Sequence, residues 1–182
     1  MFKLGIIGTG SISHEFIKAA HSTGDYQLAA VYSRTLTSAE RFVQNYENTA
    51  IFTEMLDFLS SDIDVVYIAS PNSLHFNHAK VAILARKHVI VEKPAVSRPK
   101  EWWELVKLAD EHQVYLFEAA RNYHEQAFDT ISDFLKDKTV LGANFTYAKY
   151  SSKMQALLAG EQPNVFSARF SGGALMDLGV YP

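Results

Sequence analysis

The chain contains no cysteine, which removes disulfides, thiolate nucleophiles and cysteine-ligated metals from consideration and fits a reducing, cytoplasmic setting. Long apolar runs are missing as well. Nothing approaches the roughly 18 consecutive apolar residues of a membrane span, so no membrane partner is expected. An excess of positive charge is also absent: 17 basic residues against 20 acidic ones leave a formal net charge of −3. The basic residues are scattered and form no footprint for nucleic acid. No repeat or low-complexity segment breaks the chain. The N-terminal stretch Phe2-Lys3-Leu4-Gly5-Ile6-Ile7 is too short in its apolar part for a secretory signal and reads as a buried strand.

What is present is an ordinary globular composition, 48% hydrophobic over 182 residues, enough for one full domain and part of a second. Short apolar runs alternate with longer amphipathic ones, the pattern of a doubly wound parallel α/β sheet of Rossmann type. Strands are expected at Lys3–Ile7, Gln27–Tyr32, Ala50–Phe52, Val65–Ala69, His88–Glu92 and Val114–Glu118. Most lack two-residue alternation, as strands buried on both faces should. Helices are expected at Ser11–His21, Ser38–Tyr46, Glu54–Leu59, Phe76–Arg86, Pro99–His112 and Glu125–Lys136, with Ser97 as the cap of the fifth and Pro99 in its first turn. The organisation read from this is a dinucleotide-binding domain over residues 1–120 and the start of an α+β C-terminal domain over 121–182. In the second part Val140–Ser151 reads as a strand, Ala156–Arg169 as a loop or short-helix excursion and Ser171–Pro182 as the start of a helix. One strand and one helix cannot close a second core. The sequence is therefore expected to be a piece of a longer protein.

Two strand ends carry chemistry. Lys3–Ile7 runs into Gly8-Thr9-Gly10-Ser11-Ile12-Ser13 and then a helix. Gly8 permits a tight turn, Gly10 lets the backbone approach a diphosphate, and the helix N-terminus offers free N–H groups to the anion. Ser13 replaces the usual third glycine, so the packing there must accept a small side chain. The second strand ends in Ser33-Arg34-Thr35, where an NAD site usually places an acid for the ribose 2′-hydroxyl. Hydroxyls and a guanidinium suit a 2′-phosphate instead. NADP is the preferred cofactor on this reading, with NAD possible. Further along, Ser70-Pro71-Asn72-Ser73-Leu74-His75 follows a strand and is expected to line the nicotinamide half, Asn72 offering donor and acceptor together.

The other strand end is Glu92-Lys93-Pro94, where Glu92 and Lys93 are expected to contact the cofactor. Alcohol oxidation removes a hydride from carbon and a proton from oxygen, so a base must reach that oxygen. A lysine at the carboxyl end of a strand sits at the crevice where open α/β sheets bind ligands. Asp177 and Tyr181 are four residues apart, a spacing that a helix places on one face. Arg121-Asn122-Tyr123 follows the sixth strand and is a candidate for substrate contact. His75 and His78 have helical spacing but no evident third ligand, so no metal is expected.

With Gly8-Thr9-Gly10, Ser70 to His75, Glu92-Lys93-Pro94 and Gly172-Gly173-Ala174-Leu175-Met176-Asp177-Leu178-Gly179-Val180-Tyr181 in this order, the chain resembles the glucose–fructose oxidoreductase, inositol dehydrogenase and rhizopine-catabolism (Gfo/Idh/MocA) family. The resemblance implies a Rossmann-type domain followed by a mostly antiparallel α+β domain that carries substrate and dimer contacts, most of which lies outside this sequence. It implies reversible hydride transfer between NAD(P) and a hydroxyl of a sugar, polyol or similar small molecule, with Lys93 as the catalytic lysine and Asp177 and Tyr181 completing the site. Relatives often hold the bond before Pro94 cis and commonly work as homo-oligomers. A second reading is a non-catalytic dinucleotide sensor of the same fold. A methyltransferase is disfavoured because it too would want an acid after the second strand.

Overall fold

The fold is taken from a computed structural model that describes residues 1–181. Of the seven strands expected from the sequence, six form among the described residues: β1 (Phe2–Ile7), β2 (Tyr26–Tyr32), β3 (Ala50–Phe52), β4 (Val65–Ile68), β5 (His88–Val91) and β6 (Leu116–Glu118). All neighbours are parallel, in the order β3-β2-β1-β4-β5-β6. The connecting helices are α1 (Ser11–Ser22), α2 (Leu36–Val43), α3 (Met55–Ser60), α4 (Asn72–Leu84) and α5 (Pro99–His112), and α6 (Gln126–Leu135) follows β6.

Both faces of the sheet are covered, and this is why alternation is weak in the sequence. In β4, Val65 and Tyr67 join one core with Leu4, Ile6, Ile17, Val31 and Phe42. Val66 and Ile68 point the other way, into a second core with Phe58, Ile83, Val89, Val91 and Leu105. Successive side chains alternate between faces, and with a core on each side every position must be apolar. Burying each such side chain stabilises the fold by roughly 1.5–3 kcal/mol.

This order places the functional crevice. The chain winds outward from β1 through β2 to β3, then returns to pair β4 against the other side of β1. The connections diverge there, and ligands of open α/β sheets bind beyond the carboxyl ends of such strands. In the β1–β4 register, Ile7 lies opposite Ile68. The loops that begin at Gly8 and Ala69 therefore leave the sheet side by side.

Three local expectations are corrected. Val140–Ser151 is not a strand: residues 138–151 hold no regular structure, and Leu141 is 96% exposed. A strand exists only through its ladder, and no other segment among the described residues offers this one a partner; β6 pairs with β5 alone. The second correction concerns Ser97. The N-cap of α5 is Arg98, and the Glu101 carboxylate accepts the backbone N–H groups of Ser97 and Arg98 at 3.2 and 3.1 Å. The Ser97 hydroxyl is committed elsewhere. Third, the last helix, α8, covers only Ala174–Leu178, after the short α7 (Met154–Leu158). Tyr181 lies beyond its end, so helical spacing does not govern the Asp177–Tyr181 pair.

Candidate active site

Gly8 holds φ of +108°, and a Cβ there would stand 2.4 Å from the Ala69 carbonyl oxygen. Only glycine fits between the two neighbouring loops. The turn is braced from beneath, because fully buried Ser13 donates its hydroxyl to the Gly8 carbonyl at 2.7 Å. The replacement for the third glycine thus contributes a bond as well as small size. Gly10 is the N-cap of α1, and a Cβ built on it would meet nothing within 4 Å. No side chain caps this helix and no acid lies in its first turn, so its N–H groups and positive end face open space. That space is the cradle a diphosphate requires.

Beside it runs a cleft of about 490 Å³ lined by Gly8, Thr9, Gly10, Ser33, Arg34 and Thr35, with Ser70 and Pro71 on the far wall. No acidic side chain lines it. Among the lining residues that the sequence reading did not assign to the site are Ser38 and His78. Ser38 accepts the Thr35 hydroxyl at 2.8 Å; its signal was a hydroxyl three residues into the turn of a helix. His78 lies four residues after Leu74, on the same face of α4, and its Nδ1 is 2.9 Å from the Ser70 hydroxyl.

Burial, reinforced by the His75 ring and the Arg34 guanidinium, pushes His78 down to about 4. The folded protein therefore keeps this ring neutral where the unfolded chain, at about 6.5, takes up a proton. Stability is lost as pH falls from 6.5 towards 4 and is unaffected by this group above that window. A shift of this size corresponds to at most about 3 kcal/mol, reduced to roughly 1–2 kcal/mol by partial exposure of the ring. Urea unfolding at pH 7 and pH 4.5 should show His78→Gln losing less stability in acid than the parent by that amount.

A second, larger cleft of about 980 Å³ opens on the other side of the glycine turn, lined by Ser11, Ile12, Ser70, Pro71, Asn72 and, from the C-terminal segment, Asp177. Lys93 stands behind Asp177. Its ammonium donates to the Asp177 carboxylate at 2.8 Å and to its main-chain carbonyl at 2.7 Å. The lysine is mostly buried and the aspartate partly open, at 16% and 39% side-chain exposure. The same ammonium lies 5.4 Å from the centroid of the Tyr181 ring, within cation–π reach. Tyr181 in turn stacks on Tyr147 at 4.6 Å. Lys93, Asp177 and Tyr181 therefore form one cluster.

Five long-range hydrogen bonds, the two from Lys93 among them, bring the C-terminal segment here. Two more residues join Lys93 in holding it from the sheet side: Asn72 donates to the Ser171 carbonyl at 3.1 Å and Ser97 to the Ser171 hydroxyl at 2.7 Å. Asn122, 7% exposed, donates to the Val180 carbonyl at 2.7 Å. Nothing local to Ser171 signalled this role. The Lys93–Pro94 peptide bond is cis.

Other expected contacts fall outside the clefts. His75 is 1% exposed, with its ring nitrogens 2.8 and 2.7 Å from the Pro94 and Ser70 carbonyl oxygens. It stands behind the Ser70 wall and lines neither cleft. Glu92 likewise lines neither cleft. Its carboxylate accepts the Tyr67 hydroxyl at 2.6 Å and the Lys93 N–H at 3.2 Å. Burial and then the Glu92 charge raise the Tyr67 phenol far above its ordinary range, so it remains a donor. Arg121 extends into solvent with Glu125 at 3.5 Å, and Tyr123 is 65% exposed. Of that trio only Asn122 turns inward, because its amide has the Val180 carbonyl to serve.

Residues 2–120 match the Gfo/Idh/MocA model, described as an oxidoreductase family with an NAD-binding Rossmann fold. The uncharacterized oxidoreductase YgjR of Escherichia coli is 40% identical over the whole chain, and scyllo-inositol 2-dehydrogenase (NADP(+)) IolU of Bacillus subtilis is 37% identical. The chain spans 56% of the length of each. The 3-ketoreductase KijD10 of Actinomadura kijaniata, solved with NADP and TDP-benzene, superposes on all of this chain and 55% of its own with a TM-score of 0.82 at 27% identity. No helix among the described residues is long and apolar enough to cross a membrane.

Proposed function

Since the chain belongs to the Gfo/Idh/MocA oxidoreductase family, we propose that it carries the cofactor domain and catalytic cluster of an NADP-preferring oxidoreductase. Its substrate is a hydroxyl or carbonyl of a sugar, polyol or similarly small polar molecule. The observation that carries this reading is the Lys93 ammonium held at 2.8 Å by Asp177, which lines the second cleft together with Ser70, Pro71 and Asn72. Residues 1–120 form the cofactor domain, and 121–182 begin the substrate domain of a homo-oligomer.

The open space over Gly10 and the uncapped start of α1 suit a diphosphate, while Ser33, Arg34, Thr35 and Ser38 suit a ribose 2′-phosphate. Bound on Ser70, Pro71 and Asn72, a nicotinamide would supply or accept the hydride. The chain's own groups manage the proton. Lys93 takes it as the neutral amine from the substrate hydroxyl in oxidation, becoming the ammonium, and as the ammonium returns it to the carbonyl oxygen in reduction. Asp177 aims the ammonium and accepts a substrate hydroxyl. Tyr181 covers the ammonium with its ring face and brings an O–H donor to the cluster. An assembled cluster of this kind favours an enzyme over a passive sensor, which needs no proton donor beside its nucleotide.

NADP+ and NAD+ reduction screened across sugars, polyols and dihydrodiols tests the reading in the protein that contains this chain. Turnover with none of them, together with a nucleotide-dependent protein partner, would favour the sensor. Arg34→Ala should weaken NADP+ about 10–100-fold and NAD+ less than threefold, as expected when one charge-assisted phosphate contact of roughly 1.5–3 kcal/mol is lost. Equal weakening of both would remove Arg34 from the 2′-phosphate site.

A further inference from the structure

No step of the proposed reaction uses His75, yet its imidazole is buried between two backbone carbonyls from different loops. The Ser70 carbonyl begins the loop that lines both clefts. The Pro94 carbonyl directly follows the catalytic lysine. The ring spans the gap between them.

The residues flanking Pro94 are held in the same manner. The Lys93 N–H donates to Glu92, which is fixed by the Tyr67 hydroxyl. The Ala95 N–H donates to the Glu118 carboxylate at 2.8 Å. Three successive residues are thus gripped from three elements: the end of β5, helix α4 and the end of β6. Only the grip from α4 also reaches the cofactor wall.

We propose that His75 is a positioning residue: it sets the separation between the Lys93 loop and the Ser70–Asn72 loop, and so between the lysine ammonium and the nicotinamide half of the cofactor site. This inference rests on the cofactor reading above. An imidazole suits the task because its two nitrogens lie on opposite edges of a rigid ring. Both partners are acceptors, so a ring with one N–H serves one carbonyl at a time and an imidazolium serves both. Burial favours the neutral ring, while the two carbonyls and the Glu92 and Glu118 carboxylates favour the charged one; the balance lies below the ordinary histidine range. Phenylalanine would fill the space and release both carbonyls. Glutamine would keep an N–H donor.

The test compares NADP+ with adenosine 2′,5′-bisphosphate, which lacks the nicotinamide half, by calorimetry on this chain. His75→Phe should weaken NADP+ about tenfold or more and the bisphosphate less than threefold, with His75→Gln recovering most of the loss. Equal weakening of both ligands, or of neither, would overturn the positioning role. If the parent chain binds neither nucleotide, the cofactor reading fails separately, and amide hydrogen exchange then decides. Exchange at Lys93 and Ala95 should accelerate about tenfold in His75→Phe while Ile6 in β1 stays unchanged. Unchanged exchange at Lys93 and Ala95 would overturn the role, as would acceleration throughout the sheet.

Discussion

Lys93→Met should lower turnover by about 10²–10⁴-fold, the usual contribution of a positioned acid–base group, while NADP+ affinity changes less than threefold. Methionine keeps the unbranched stem and loses the ammonium, so the side chain still fills its mostly buried place while proton transfer and the cation–π contact with Tyr181 are lost. The loss should appear in kcat with little change in KM, since the lysine is assigned to the transition state more than to ground-state binding. The measurement belongs in the catalytically competent protein that contains this chain. Near-normal turnover there would move the proton to Tyr181, whose phenol is the other proton donor in the cluster. The variant also leaves Asp177 without its cation. That carboxylate is partly exposed, so water can serve it and the fold should lose little.

Gly10→Leu should abolish nucleotide binding, weakening NADP+ by at least about 100-fold, while the protein stays folded. Gly10 sits at φ −86° and ψ 173°, extended backbone that any residue adopts, and its absent Cβ faces empty space. A leucine there costs the fold no more than the roughly 1 kcal/mol of a poorer N-cap. Its branched end would stand where the diphosphate approaches the α1 N–H groups, and a clash with so strongly hydrated an anion cannot be relieved by a small shift. Circular dichroism and titration with NADP+ separate the two effects. Retained affinity in a folded variant would place the diphosphate elsewhere and overturn the cradle. The adjacent Gly8 cannot serve this purpose, because a side chain there strikes the Ala69 carbonyl and damages the fold itself.

Much of the first 120 residues was legible because the relevant forces act over a few residues. Strands β1 and β4 read as unbroken apolar runs, since a core lies on each face. Gly8 and Gly10 read as a cradle because the tight turn demands glycine at the first position and the close approach of a diphosphate favours it at the second. Pro99 marked the start of α5, although the cap proved to be Arg98 with Glu101, after the Ser97 hydroxyl was taken by a residue 74 positions away. The strand expected at Val140–Ser151 failed for a related reason. Its β-branched and aromatic content states a preference, and a strand also needs a neighbour to pair with.

Candidate site residues were legible as types at strand ends, and their partners were not. Lys93 could be singled out from Glu92 and Pro94, but Asp177 reaches it from 84 positions away and Ser171 reaches Asn72 from 99. His75 and Glu92 sat inside motifs and were read as cofactor contacts. Their side chains instead brace the backbone that carries the lysine. Read alone, the amino-acid order determined the alternating elements, the glycine turn and the acid-free end of β2, because sterics, periodicity and charge are local properties. Tertiary structure alone decided which loops face each other, which hydroxyls and imidazoles are buried, and that residues 171–181 return to the lysine. Those outcomes depend on the path of the whole chain through the β1–β4 reversal, and no window of a few residues contains it.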